Sequence, residues 1–273
     1  MTASEPVAPL TVDEVLPDAV RRGAGDVDLA VVGQLNTPGQ TRSTVRGTRD
    51  LTRAALETLA ELGARIRFYD VADDAEPDYA AIRAADGIVV LGGGDVEASR
   101  YGHVGEVPNE YGVDPRSDER QLRVFDDAFD HDAALLAICR GSQLLNVSRG
   151  GTLIPDLNPH GLHRGGKGEP LFKDEEVALV EGTIVRRIHG DRDRLVVRNG
   201  HHQAVGEVAP GLRATALAAD GVVEGTEAVD RTWIIGVQWH PEEAAADPDD
   251  RRAIFAAIVD EARRRRDARS ASA

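Results

Sequence analysis

Apolar residues in the first half of this chain fall alternately into short unbroken runs and into helical spacing. Asp28-Leu29-Ala30-Val31-Val32-Gly33 reads as a buried strand, and residues 44–62 then place Leu51, Ala55, Leu56, Leu59 and Leu62 on one helical face. Gly63 follows as a stop signal. Strands at 64–71 and 87–91 bracket a short helix at about 79–85, and a helix at about 117–129 precedes an apolar run ending at Ile138. Strands and helices alternating at this spacing predict a parallel sheet covered on both faces.

After Gly150-Gly151 the pattern changes. Asn158, Pro159, Gly161, Gly165, Gly166 and Gly168 mark an irregular stretch, followed by short strand-like segments at 176–180, 183–188, 195–198, 212–219, 222–228 and 232–237. The expectation is an α/β chain whose mostly parallel central sheet gains an antiparallel region in its second half. A final helix runs from about Asp249, and the basic block at 263–266 reads as favourable charge at its end. Residues 1–25, with Pro6, Pro9 and Pro17, read as a disordered or loosely packed leading segment, 26–265 as one domain and 266–273 as a tail.

Composition narrows the function classes. With 273 residues and 41% hydrophobic content the chain can bury a core sufficient for one large domain. A net charge of −15 without a basic, aromatic-bearing stripe argues against nucleic acid as a partner. No apolar stretch approaches the ~20 residues that a bilayer span requires, and no leader pattern opens the chain, so a soluble cytoplasmic protein is expected. The one cysteine excludes an internal disulfide and a cysteine-rich zinc site.

That cysteine, Cys139, lies where the apolar run 134–138 breaks into Arg140-Gly141-Ser142 before helical spacing resumes. A strand-to-helix elbow presents a side chain at the rim of a sheet, and a helix amino terminus behind a thiol favours its thiolate. A nucleophile of this kind needs a base, and the base needs a group to orient it. His240 and Glu242, in Gly236-Val237-Gln238-Trp239-His240-Pro241-Glu242 at the end of another strand, supply both. Candidate oxyanion donors are the Arg140 N–H and an N–H from the Gly92-Gly93-Gly94 loop, at Gly93 or Gly94, with Asp95 capping the next turn. A phosphate-cradling role for that loop lacks a following Lys-Ser or Lys-Thr.

Together these residues resemble class I glutamine amidotransferase domains, specifically the γ-glutamyl-γ-aminobutyrate hydrolase branch, peptidase family C26. The resemblance rests on Ile138 to Gln143 with Asn146-Val147, Gly150-Gly151-Thr152-Leu153, Gly236 to Glu242, Gly92 to Val96 with Tyr101-Gly102, and His201-His202-Gln203-Ala204-Val205, and covers about residues 28–262. It implies a flavodoxin-like three-layer sandwich and a Cys139-His240-Glu242 triad that hydrolyses a small γ-glutamyl amide through a thioester. It further implies that Gln143, His201, His202 and Gln203 contact substrate, and that no cofactor takes part. A glutaminase subunit feeding a partner synthase and a non-catalytic ligand sensor are the competing readings, and a homodimer is compatible with each. His160 and His163 fall in the glycine-rich stretch, where they could reach the pocket as part of a lid. No metal site is expected from the histidines, for want of paired carboxylates at workable geometry. Three departures from the branch pattern bear on the amine half of the substrate or on the start of the fold: Arg198-Asn199-Gly200 before the histidine pair, Ala98 in place of a common proline, and Gln34 to Gly39 after the first strand.

Overall fold

A computed structural model describes residues 7–21, 23–159, 161–166 and 168–272. In chain order the first half contains α1 (Val12–Val15), α2 (Asp18–Arg21), β1 (Val27–Gly33), α3 (Arg42–Glu61), β2 (Ala64–Asp70), α4 (Tyr79–Ala84), β3 (Gly87–Val90), α5 (Pro115–Asp130), β4 (Leu135–Ile138) and α6 (Arg140–Ser148). The second half adds β5 (Leu153–Ile154), β6 (Lys173–Leu179), α7 (Ile184–Ile188), β7 (Arg194–Asn199), β8 (Ala204–Val205), β9 (Leu212–Leu217), β10 (Val223–Ala228), β11 (Ile234–Val237) and α8 (Pro248–Ser272). The strands form one sheet in the order β2-β1-β3-β4-β11-β10-β9-β6-β7, and short β5 and β8 pair beside β10. From β2 to β11 the pairing is parallel; from β11 to β7 it is antiparallel. The expected fold class, a flavodoxin-like three-layer sandwich with an antiparallel extension, is the one observed.

The layers follow from the period-2 alternation of side chains along each strand. Leu29 and Val31 of β1 and Leu136 of β4 face Leu56 and Leu59 of α3 and Phe255 and Ile258 of α8. Ala30 and Val32, with Leu135 and Ala137, face Val124 and Phe125 of α5 and Leu144 of α6. Strands buried on both faces have no polar alternation, which is why they read as continuous apolar runs.

Three expectations are corrected. Residues 183–188, read as a strand from Thr-Ile-Val, are the helix α7: the Thr183 side chain accepts from the Arg186 N–H at 3.4 Å, and only Val185 of the helix is fully buried. Capping outweighs β-branched propensity there. The leading segment is packed from Leu10 onward, with Leu10 and Val15 buried against Leu35 and Val20 joining the main core. Leu10 N–H donates to Asn36 Oδ1 at 2.8 Å, and Asn36 Nδ2 returns to the Leu10 carbonyl at 2.9 Å. This accounts for the unusual loop after β1, whose Leu35 and Asn36 are the seat of the leading segment. At the other end, α8 continues through 266–272, and Arg263 and Arg266 both reach Asp26. Among the described residues no helix is long and apolar enough to cross a membrane.

β3, β4 and β11 lie side by side and in parallel, with Val90 opposite Ala137 and Ile138 opposite Val237. Their carboxyl ends therefore bring together the Gly92 loop, Cys139 and the segment bearing His240, at the edge where open α/β sheets bind ligands.

Candidate active site

Cys139 occupies a sharp elbow. It has φ 51° and ψ −111°, a backbone conformation that a side-chain-bearing residue adopts at a cost of about 1–3 kcal/mol. Its N–H still completes the sheet, donating to the Val237 carbonyl at 2.8 Å, while its own carbonyl accepts from the Gln143 N–H at 3.1 Å, so strand passes into helix with no intervening loop. Gly141 makes the closure possible, because a Cβ there would stand 2.7 Å from the Val90 carbonyl oxygen. If the elbow is strained, Cys139→Gly should be more stable than Cys139→Ala by about 1 kcal/mol. Urea midpoints compare the two directly, and equal midpoints would count against the strain.

His240 follows β11 and is buried, its N–H donating to the Arg198 carbonyl at 2.9 Å. Its Nδ1 lies 2.8 Å from Glu242 Oε1, so a carboxylate acceptor places the proton on Nδ1, and Cys139 lies beside the ring, both facing Gly92 at the edge of the same cavity. Burial opposes charge on this ring, but the charges of Cys139 and Glu242 and the Glu242 hydrogen bond overcome it and hold the His240 pKa well above its usual value. Phe172 meets the ring edge-on at 5.2 Å between centroids. Gln238 was not anticipated: it is fully buried, and its Nε2 lies 3.6 Å from Cys139 Sγ. Its place two residues before His240 was the only available signal.

The donor expectations divide. The N–H groups of Gly93 and Arg140 have no hydrogen-bond partner among the described residues, the latter because the first N–H groups of a helix have no intrahelical acceptor. Gly94 is different and the expectation for it is corrected, since its N–H donates to Gln34 Oε1 at 3.1 Å. Gln34 is a buried brace that sequence reasoning passed over. The Arg140 side chain turns inward, 1% exposed, and pairs with Asp118 and Gln121 on α5. Burial pushes the Asp118 carboxyl up, partly offset by the Arg140 charge and by the Glu97 N–H.

The four expected substrate contacts all border the same cavity as Cys139, but their polar groups are largely held by protein partners. Gln143 Nε2 donates to the Gln203 carbonyl at 2.8 Å and to Gln238 Oε1 at 3.1 Å. Gln203 Oε1 accepts from the Val96 N–H at 3.0 Å, tying residues 201–203 to the glycine loop. His202 is clamped between Asp156, 2.8 Å from Nδ1, and Asp95, 3.1 Å from Nε2. Asp95, read as a turn cap, also accepts the Tyr111 N–H at 2.9 Å, so it fastens two loops. Burial opposes charge on His202, and the hydrogen bond and charge of Asp95 raise its pKa nonetheless.

His201 points to a separate buried group. Its Nδ1 lies 2.9 Å from the Gln203 carbonyl and its Nε2 3.3 Å from Glu224 Oε1. His163 is in the same group, fully buried rather than part of a lid, while His160 lies outside the described residues. Burial opposes charge on His163 too, but its contacts with carboxylates, Glu175 first, raise its pKa to about 10. The expectation that no carboxylates meet these histidines is corrected: Glu175 on β6 and Glu224 on β10 converge on them, because both strands direct one side chain to the same point.

The cavity above Cys139 has a volume of about 640 Å3 and is bounded by the glycine loop, Gln143, residues 200–203, Phe172 and His240, with the start of α3 at its mouth. A space of this size suits a small molecule with room for a second substituent.

Comparison with known proteins gives the family. The model for peptidase C26 matches residues 29–242. A Mycobacterium tuberculosis protein named as a glutamine amidotransferase is 35% identical over 178 residues, 64% of this chain and 55% of that protein. Protein NtpR of Enterococcus hirae is 34% identical over 168 residues, 60% of this chain and 69% of the relative. The γ-glutamyl-γ-aminobutyrate hydrolase PuuD of Escherichia coli is 32% identical over 165 residues, 58% of this chain and 64% of that protein. The matched stretch therefore spans little more than half the length of the mycobacterial relative and less than two thirds of the E. coli one. Among solved structures, the glutaminase domain of Trypanosoma brucei CTPS with bound acivicin superposes with a TM-score of 0.59 at 16% identity, covering 88% of this chain and 94% of that one. At that identity the likeness is one of fold. With residues 29–242 matched, the chain belongs to the peptidase C26 family.

Proposed function

We propose that this protein is a cysteine hydrolase that cleaves the γ-glutamyl amide bond of a small γ-glutamyl amine. The observation that carries the reading is the chain of contacts from Cys139 through His240 to Glu242 at the floor of a small-molecule cavity. In this reaction the Cys139 thiolate attacks the γ-carbonyl carbon, a C–S bond forms, and the carbonyl oxygen becomes an oxyanion facing the N–H groups of Arg140 and Gly93. The C–N bond then breaks while His240 gives its proton to the departing amine. Water attacks the thioester with His240 as base, releasing glutamate and restoring the thiolate. Glu242 holds the ring orientation and balances the imidazolium.

In this reading Gln143, His202 and Gln203 shape the wall against the glutamyl group, and the held orientation of each matters more than a free polar atom. Amine release by the purified chain, across glutamine and a panel of γ-glutamyl amines, tests the reading. Turnover of at least one γ-glutamyl amine by the chain alone is the expected result. Turnover of glutamine that starts only when a synthase partner is added would replace it with the glutaminase-subunit alternative.

The raised His240 pKa sets the pH profile. A histidine whose pKa lies above its usual value keeps its proton above pH ~6.5 and loses it only as pH rises through the raised value. The alkaline limb of kcat/KM, which needs the protonated ring for amine departure, should therefore lie well above neutrality. An alkaline limb centred near pH ~6.5 would contradict this assignment of the acid.

A further inference from the structure

We infer that His163, Glu175, His201 and Glu224 form a buried tetrahedral site for a divalent transition-metal ion of the zinc type, separate from the cysteine site and bracing one wall of its cavity. The four side chains each offer one ligand atom, all within 4.8 Å of one another. Glu224 Oε1 lies 3.2 Å from His163 Nδ1 and 3.3 Å from His201 Nε2, and Glu175 Oε2 lies 3.1 Å from His163 Nδ1. Four ligands at zinc distances of 2.0–2.1 Å would be about 3.3–3.4 Å apart along the edges of a tetrahedron. Three observed separations fall close to that edge.

Hydrogen bonding explains the convergence only in part, through the 3.1 Å contact of His163 Nδ1 with Glu175 Oε2. His201 Nε2, Glu224 Oε1 and Glu175 Oε1 are buried without a hydrogen-bond partner among the described residues. All four side chains are at most 4% exposed. Without an ion, a protonated His163 supplies only one positive charge against the two carboxylates; a divalent ion that displaces that proton would supply two at one point.

The surrounding groups orient the four as ligands. His201 Nδ1 faces the Gln203 carbonyl, which fixes its proton there and leaves the Nε2 lone pair inward. His163 Nε2 lies 3.0 Å from Asp220 Oδ2, the carboxylate contact that commonly backs a metal-bound histidine. Asn199 Nδ2 donates to Glu175 Oε2 at 2.6 Å and Glu224 Oε2 at 2.9 Å, turning both carboxyl groups. Mixed nitrogen and oxygen donors favour zinc over magnesium or calcium, which take oxygen sets. Four protein ligands leave no open position, so the role is structural. The ion would fasten β6, β10 and the 199–203 segment that walls the cavity.

The full chain, dialysed against Zn2+ and then metal-free buffer, should retain about one ion per chain by mass spectrometry of the metal content. Strong chelation should lower its melting temperature by about 10 °C, restored by adding Zn2+. Co2+ loaded into the chelated protein should show the intense visible bands of a tetrahedral ion. Glu224→Gln and His163→Asn should each lower retained metal at least tenfold; should a variant fail to fold, the Co2+ spectrum of the wild-type chain decides. A wild-type chain that retains no ion and melts unchanged with chelator overturns the site, as does a bound ion with a non-tetrahedral Co2+ spectrum or one that survives both substitutions in folded protein.

Discussion

Cys139→Ala should lower turnover of a γ-glutamyl amide by ~10^4-fold or more while leaving the melting temperature within a few degrees of wild type. The size of the loss reflects the way a nucleophile and its base act as a unit, so that little remains once one is gone. Cys139 is the only cysteine in 273 residues, and no second thiol can substitute. Glu242→Gln should retain more, falling by about 10^2–10^4-fold, because the ring keeps a hydrogen-bond partner but loses the charge that balances its cationic form. Initial rates at saturating and limiting substrate separate the two variants, and a Cys139→Ala protein with near-wild-type rates would remove the thiol from the mechanism.

The largest loss of stability should come from Asp118→Ala, far from the thiol in sequence. Asp118 is 0% exposed and Arg140 1% exposed, so truncating the carboxylate leaves a guanidinium buried with Gln121 as its remaining side-chain partner. Breaking a buried pair in this way costs about 3–5 kcal/mol, or on the order of 10 °C in melting temperature. Removing both partners together, as Asp118→Leu with Arg140→Met, should cost markedly less than Asp118→Ala, because no charge is left alone. Arg140 begins α6, so the single variant should also disturb the elbow and lower activity in the fraction that folds. Thermal melts of the single and double variants test this, and an Asp118→Ala protein melting with wild type would contradict the burial argument.

The parallel half of the fold was legible because strands buried on both faces must be continuous apolar runs and the helices between them must be amphipathic. The antiparallel half was harder. Thr183-Ile184-Val185 carries strand propensity, yet a Thr183 cap and the burial of Val185 make it a helix. The residues of the proposed triad could be picked out because Cys139, His240 and Glu242 each sit just beyond a strand end, where local sequence and topology coincide. What remained hidden was the matching of distant polar residues. Gln34 bracing Gly94 across 60 residues, and Glu175 and Glu224 meeting His163 and His201, depend on the register of strands far apart in sequence. Each of those side chains, taken alone, is an ordinary polar residue on a strand or loop.

Acid quenching of the chain a few milliseconds after mixing with a γ-glutamyl amide, followed by intact and peptide mass spectrometry, tests the central claim most directly. A mass increase of one glutamyl group, located on Cys139 and absent from Cys139→Ala, is the result expected of a thioester route. Amine release that proceeds at full rate with no adduct at Cys139 at any quench time, and that persists in Cys139→Ala, would contradict it.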